Sequence, residues 1–442
     1  MLHATKPGKE RDNHNLGQQE PIEASLPLGE WRAMGDVTVP GNATVKLGKV
    51  DGQLHMLERA RVQAEGESPI EVSGEVICEG DAEFEGNLTC SRLNVDHGRV
   101  EISGDLKSTG EIDVEHGELR VDGSLDASSV EVDARLFIGK SATAHDFDIG
   151  GTLDVGGSIT ATKVEVGGSF RVEGDANVEE IDVGGRVEVN GQIKCVRLDA
   201  GGSAQVGGGE ISRTIDVGGS FTSSKPLRFD KIDVGGTVSL DQGGEGRTVD
   251  VGGRFESKGN LTFESIDVGG TVEIGGNGEG EEVDIGGTLE VSGNLHLKRG
   301  LEIGGKARIG GSLKLASLEV GGMIEADLIE AEDEVEVGGR LHTTKGTKAK
   351  TIELGHRSEA IGVLVGDRVK IGDNARVEDV YANAVEMGER VRAGNVYARY
   401  VRLESRCRIS GEVKYSDRLE AEPDVEFAKP PVKTDDLPKP PL

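Results

Sequence analysis

Aromatic side chains are scarce in this 442-residue chain: 1 Trp, 4 Tyr and 9 Phe, 3% in all. An enzyme core of that length would bury far more aromatic surface. Apolar residues reach only 35%, below the usual globular share. Prolines number 12, and the glycines do not recur every third residue, which excludes collagen. No apolar run approaches the length of a membrane-spanning helix. The leading residues MLHATKPGKERDNHN lack the apolar stretch of a signal peptide. The four cysteines, Cys78, Cys90, Cys195 and Cys407, show no CxxC spacing, so free buried thiols in a reducing cytoplasm are expected. Positive charge is short too: 50 Lys+Arg stand against 80 Asp+Glu, a net charge of −30. That surface argues against nucleic acid or an anionic membrane as the main partner of the whole surface, with membrane association otherwise left open. Full disorder fits poorly, because Val, Ile and Leu recur throughout.

Glycine, by contrast, is abundant at 68 residues, and it is ordered. Gly-Gly pairs begin at 150, 167, 184, 201, 218, 235, 252, 269, 286, 304, 321 and 338; ten of the eleven intervals are 17 residues and one is 18. Each pair closes an apolar–acidic–apolar triplet, as in Ile181-Asp182-Val183-Gly184-Gly185. The triplet pattern extends upstream to Ile70-Glu71-Val72 and downstream to Val401-Arg402-Leu403. Two-helix repeats need about 33 residues and a propeller blade about 40. Seventeen residues with period-2 alternation suit three short strands joined by tight corners. The expectation is an all-β fold, a single-stranded β-helix solenoid of about 21 to 22 coils of ~17 residues, each stacked ~4.8 Å from the next and ~105 Å in total. The lack of clean six-residue repeats favours a right-handed helix over a left-handed one.

Identical corners in every coil call for glycine, through positive φ or through backbone approach too close for a Cβ. A phosphate-cradling loop would occur once and open a helix; this one recurs twelve times. Leu153, Phe170, Val187, Ala204, Phe221, Val238, Phe255, Val272 and Leu289, all 17 apart, are expected as stacked fillers of a narrow core. The middle of the triplet points outward and is acidic over fifteen successive coils from Asp113 to Glu353. Asp148, Glu165, Asp182, Asp199, Asp216, Asp233, Asp250, Asp267 and Asp284 carry its most regular stretch. Two such charges 4.8 Å apart in water repel by ~0.9 kcal/mol before screening. The ladder reads either as a solvated face that keeps the coils from sticking or as a stripe for cations or a basic partner.

Other motifs carry little chemistry. Ala134–Ser141 approximates GxxxxGK[ST], but its apolar residues fall on strand positions and no helix pattern follows. Gly275-Gly276-Asn277-Gly278-Glu279 resembles a calcium-binding repeat once only. His97 and His116 sit where coils are longer and read as bulged corners. No nucleophile–base–orienter set, metal site or cofactor site is expected.

The later section differs in kind. Residues 356–415 hold 11 Lys+Arg and 9 Asp+Glu and all four tyrosines. Arg376, Arg392 and Arg408 are 16 apart, as are Tyr381 and Tyr397, so each set should stack. This predicts better-packed closing coils or a partner surface. The division expected is a flexible segment 1–34, an acidic Gly-Gly body 35–355, closing coils 356–428 and a Pro-rich extension 429–442 with five prolines.

The closing coils resemble the bactofilin family of polymer-forming cytoskeletal proteins. The residues that carry this are Gly366-Asp367-Arg368-Val369-Lys370-Ile371-Gly372, Val396–Leu403 and Ile409-Ser410-Gly411-Glu412-Val413, framed by Pro-rich segments. The resemblance is best over about 356–427 and looser over 36–355. It implies a right-handed β-helix that assembles end to end without nucleotide. It also implies a cytoplasmic, non-enzymatic scaffold in cell shape or protein localisation. The partner would be a second copy, with other scaffold or cell-envelope proteins as clients. Independently, a β-helix ends in unpaired backbone groups that must be capped or paired. Val413, Leu419, Val425 and Phe427 would form an apolar last coil, the expected polymer interface. The competing readings are a surface adhesin, a cation-binding β-helix protein and a β-helix carbohydrate-active enzyme. An enzyme of this kind needs long loops to build a cleft, and coil length is nearly constant between 112 and 419.

Overall fold

Alternating Val, Ile and Leu in runs of three to five, interrupted by glycine, leave the chain one economical structure: short strands that pair with their own repeats. The computed structural model describes residues 32–442. Among the described residues there are 56 strands and no helix. They form a parallel β-solenoid of about 24 turns, ~17 residues per coil. The extra turns over the expected 21 to 22 lie at the extremes. Arg32–Met34 already pairs with Lys49–Asp51, and Val432–Lys433 still pairs with Lys414–Tyr415. Of the expected segment 1–34, residues 1–31 lie outside the described residues and the last three are this first strand. The chain divides into two compact units, Met1–Ser212 and Arg213–Leu442.

In the first unit a coil is three strands, for example Leu106–Ser108, Glu111–Val114 and Gly117–Val121. Each lies in register with its counterpart one coil on: Leu106 with Leu125, Ile112 with Val130, Leu119 with Leu136. Period-2 geometry sends alternate side chains inward. Leu136, Leu153, Phe170, Val187 and Ala204 therefore form one continuous buried column. The near-match to a nucleotide loop is the strand Arg135–Ile138, with Leu136 and Ile138 buried.

The corner glycines of this unit answer the question of why glycine is required. Gly184 and Gly185 do not have positive φ. A Cβ on Gly184 would collide with the carbonyl oxygen of Gly167, and one on Gly185 with that of Gly168. Close stacking of successive corners, not turn conformation, excludes a side chain there.

The second unit repeats the scheme. Phe221, Val238, Phe255, Val272, Leu289, Ala307 and Ile324 stack in register, then Leu341, Ala360 and onward to Ile409 and Phe427. Gly246 and Gly280 have a different role from the corner pairs. A Cβ on either would run into the ring of Phe229 or Phe263, one coil earlier, so these glycines make room for a bulky neighbour. Past Gly355 the corners change type. Arg357, Asn374, Arg390 and Arg406 take left-handed backbone with φ of 59°, 58°, 59° and 62°, and paired glycines are no longer needed.

Residues 429–442 depart from the extension expected of them. Val432–Lys433 joins the sheet, and the Thr434 N–H donates to the Tyr415 carbonyl at 2.8 Å. From there the chain turns back. The Leu442 side chain lies against Gly346, where a Cβ would come 2.7 Å from its Cδ1. Tyr415 and Gly346 are four coils apart, through Ala398, Ala382, Gly366 and Ala349. From Val432–Lys433, one coil beyond Tyr415, the span is five steps or ~24 Å at the β spacing, and eight Pro-rich residues at ~3.1 Å each cover about that length in extended form. Proline does bar most of this segment from the ladder, but the two non-proline residues after Pro431 pair.

Candidate functional site

The last coil is where the column loses its cover. Val413–Ala421 pairs with Val396–Leu403, and Glu426–Phe427 with Arg408–Ile409. Val413 sits on Val396 and is 1% exposed. Leu419 stands over Val401 and Phe427 over Ile409. Val401 and Ile409 are both buried at 2% exposure, whereas Leu419, Val425 and Phe427 are only half-buried. Of the four residues expected at the interface, three line an uncovered apolar end and Val413 belongs to the core. The strand edges over Arg418–Ala421 and Glu426–Phe427 pair with nothing further among the described residues; Val432–Lys433 covers only Lys414–Tyr415.

The expected Arg and Tyr sets do stack. Arg376 lies beside Arg392, and Arg392 beside Arg408. Arg408 is committed to Glu426 at 2.9 Å, whereas Arg376 and Arg392 form no ion pair among the described residues. These two line a shallow groove together with the carboxylates Glu378 and Asp379 and with Ala393, Gly394 and Ser410. Tyr381 and Tyr397 have ring centroids 4.9 Å apart, tilted by 45°, with Lys414 Nζ 5.8 Å from the Tyr397 ring centre. Burial, then the neighbouring Tyr397 phenol, pushes the Tyr381 pKa up.

The acidic ladder is real and in register within each unit. Asp113, Glu131, Asp148, Glu165, Asp182 and Asp199 stack in the first. Asp233, Asp250, Asp267, Asp284, Glu302, Glu319, Glu336 and Glu353 stack in the second, where Asp216 is likewise exposed between buried Ile215 and Val217. Lysines offset it in places: Lys163 reaches Glu165 at 2.6 Å and Lys231 reaches Asp233 at 2.8 Å. At the next step Lys370 takes the ladder position and bonds Glu353 at 3.2 Å. Slight burial and then the flanking carboxylates Asp113 and Asp148 push the Glu131 pKa up.

Two features escaped the reading of the sequence. One is a row of side-chain acceptors that bond the backbone of the next coil. Asn260 Oδ1 accepts from Asn277 N, Asn277 Oδ1 from Asn294 N, and Asn294 Oδ1 from Ser312 N, each at 2.8 Å. Asn260, Asn277 and Asn294 are 17 apart, so the spacing carried the signal. The other is the pairing of Gly246 with Phe229, equally at one coil's distance.

All four cysteines are free and buried. Burial pushes the Cys90 thiol up to about 11 and Cys195 up to about 12, and raises Cys78 further. The His116 corner has φ 48°, and its N–H bonds Asp133 Oδ2 at 2.8 Å. Among the described residues no three His, Cys, Asp or Glu side chains converge to hold a metal ion, and no helix is long and apolar enough to cross a membrane.

The geometry defines the class: a parallel β-solenoid with a carboxylate ladder and an uncovered apolar coil. Searches found no family model, no curated protein and no solved structure that matches the chain.

Proposed function

We propose that this protein is a non-enzymatic, polymer-forming cytoskeletal scaffold whose copies join through the open last coil without nucleotide. The observation that carries the reading is the half-buried row Leu419, Val425 and Phe427 above the sealed row Val401 and Ile409. A coil with its core face and strand edges uncovered accepts any surface that repeats its own spacing and backbone polarity. A second copy of this chain is a partner that meets both conditions. The resemblance of residues 356–427 to bactofilins supports the same reading, with a cytoplasmic role in cell shape or in localising other proteins.

Negative-stain electron microscopy of the purified full chain, with no nucleotide added, tests it. Thin unbranched filaments are the expected result, and Phe427→Arg should shorten them while leaving the circular dichroism spectrum unchanged. Isolated particles at all protein concentrations would overturn the reading.

A further inference from the structure

The segment that follows the open coil occupies part of the surface a second copy would use. Val432 and Lys433 are in register with Lys414 and Tyr415, so they cover one of the coil's three strand edges. Beyond them the chain runs back across four coils to Leu442 on Gly346. Residues 432–442 are thus a strap, anchored at the coil edge and at a glycine notch.

Its anchors are few. Interior coils are held by three paired strands, but the strap contributes two register pairs and one further N–H, from Thr434. Pro430, Pro431, Pro438, Pro440 and Pro441 have no N–H to give. Lys429, just ahead of it, reaches Glu412 at 3.0 Å on an exposed surface, a contact of small value. At its far end the tip of the Leu442 side chain rests against Gly346, a position with φ 135° where a Cβ would crowd both Leu442 Cδ1 and the Val363 carbonyl oxygen. Val432 is 50% exposed, so its pairing is backed by little apolar burial. Segments with few buried contacts open well below the global stability.

We infer that residues 432–442 form a releasable strap that competes with the incoming coil of a second copy for the strand edge at Lys414–Tyr415, and so gates assembly. This rests on the end-to-end reading above and adds its regulation. While the strap is docked, an approaching coil meets a step one strand high over a third of the surface. Once it leaves, all three edges are free together.

A reversible lock tests this in the full chain. Lys414 and Val432 are parallel-strand partners, whose Cα spacing suits a disulfide, and the native cysteines are all buried. Oxidised Lys414→Cys/Val432→Cys protein should remain unassembled, and reductant should restore assembly in the same sample. Leu442→Asp, which empties the notch, should shorten the assembly lag several-fold. Oxidised protein that assembles as fast as reduced protein would overturn the strap. If no form assembles, the end-to-end reading falls, and amide exchange then decides the strap alone. Exchange at Val432, Lys433 and Thr434 that is fast in the native chain and suppressed by the oxidised lock sustains an opening strap; protection equal to that of Val413 refutes it.

Discussion

Phe427 stands in register on Ile409, one strand apart in the same core column, yet Ile409 is 2% exposed and Phe427 is half-buried. A further strand lies over Ile409, and none lies over Phe427 among the described residues. Truncating Ile409 to Ala should therefore cost ~2–5 kcal/mol, as buried aliphatics do. Phe427→Ala should cost well under half the ~3–5 kcal/mol of a buried Phe. Denaturant unfolding of the closing coils, followed by tyrosine fluorescence, reads the difference, since all four tyrosines lie there. Equal losses would mean that Phe427 is covered in solution.

Gly246→Ala should destabilise its coil by ~1–3 kcal/mol, the range for overpacking, because the new methyl meets the Phe229 ring. Phe229→Leu in the same chain should recover part of the loss. Thermal melts of the single and double variants check this, and additive losses would deny the contact.

Asn277→Leu leaves the Asn294 N–H without its side-chain acceptor, while the backbone N–H of residue 277 keeps its bond to Asn260 Oδ1. An unmade bond of this kind costs ~1–3 kcal/mol. The expected sign is faster amide exchange at Asn294, with the next row, Ser312, unaffected.

The thiols set an alkaline limit. In the unfolded chain they ionise near the ordinary value of 9.0, whereas folding holds Cys90 to about 11 and Cys195 to about 12. Between those limits unfolding releases protons, so stability present below pH 9 falls as pH rises. Melting temperatures should drop over this window, and Cys90→Ala with Cys195→Ala should flatten the drop. A thiol reagent should label none of the four in the native state and all of them in denaturant.

For the ladder the sign is similar but the range is acidic. Asp113 and Glu131 are raised, first by desolvation and then by neighbouring carboxylates. Their contribution is favourable below the ordinary carboxylate range and is lost as pH rises through the raised values. Glu131→Gln should then raise the melting temperature at neutral pH, and added salt should do the same for the parent chain by screening. No response to either would remove repulsion as a factor.

The spacing of residues made the strands, the column and the ladder legible, because a solenoid writes spatial neighbours into a fixed sequence offset. Phe170, Phe221 and Phe255 could be placed in the core from that offset alone, and each is fully buried. What the offset did not reveal is which contacts are made across it. Gly184 and Gly246 both read as glycine, yet one is pressed by a carbonyl and the other by a phenyl ring. Arg408 reads like Arg376, but Glu426 lies 18 residues on and takes it. The strap was hidden because its partner, Gly346, lies outside the repeat logic altogether.

Corner stacking has one more result. Gly252 rests on Gly235, Gly269 on Gly252 and Gly286 on Gly269, so each coil presents to the next the same face it receives from the one before. Residues 252–268 could be cut out and Gly269 would meet Gly235 in the same register, with that unit one step of ~4.8 Å shorter. At its glycine corners the chain carries its own ruler in whole coils, whereas the contacts of Gly280 with Phe263 and of Asn277 with Asn260, which that cut would remove, tie particular coils to particular neighbours.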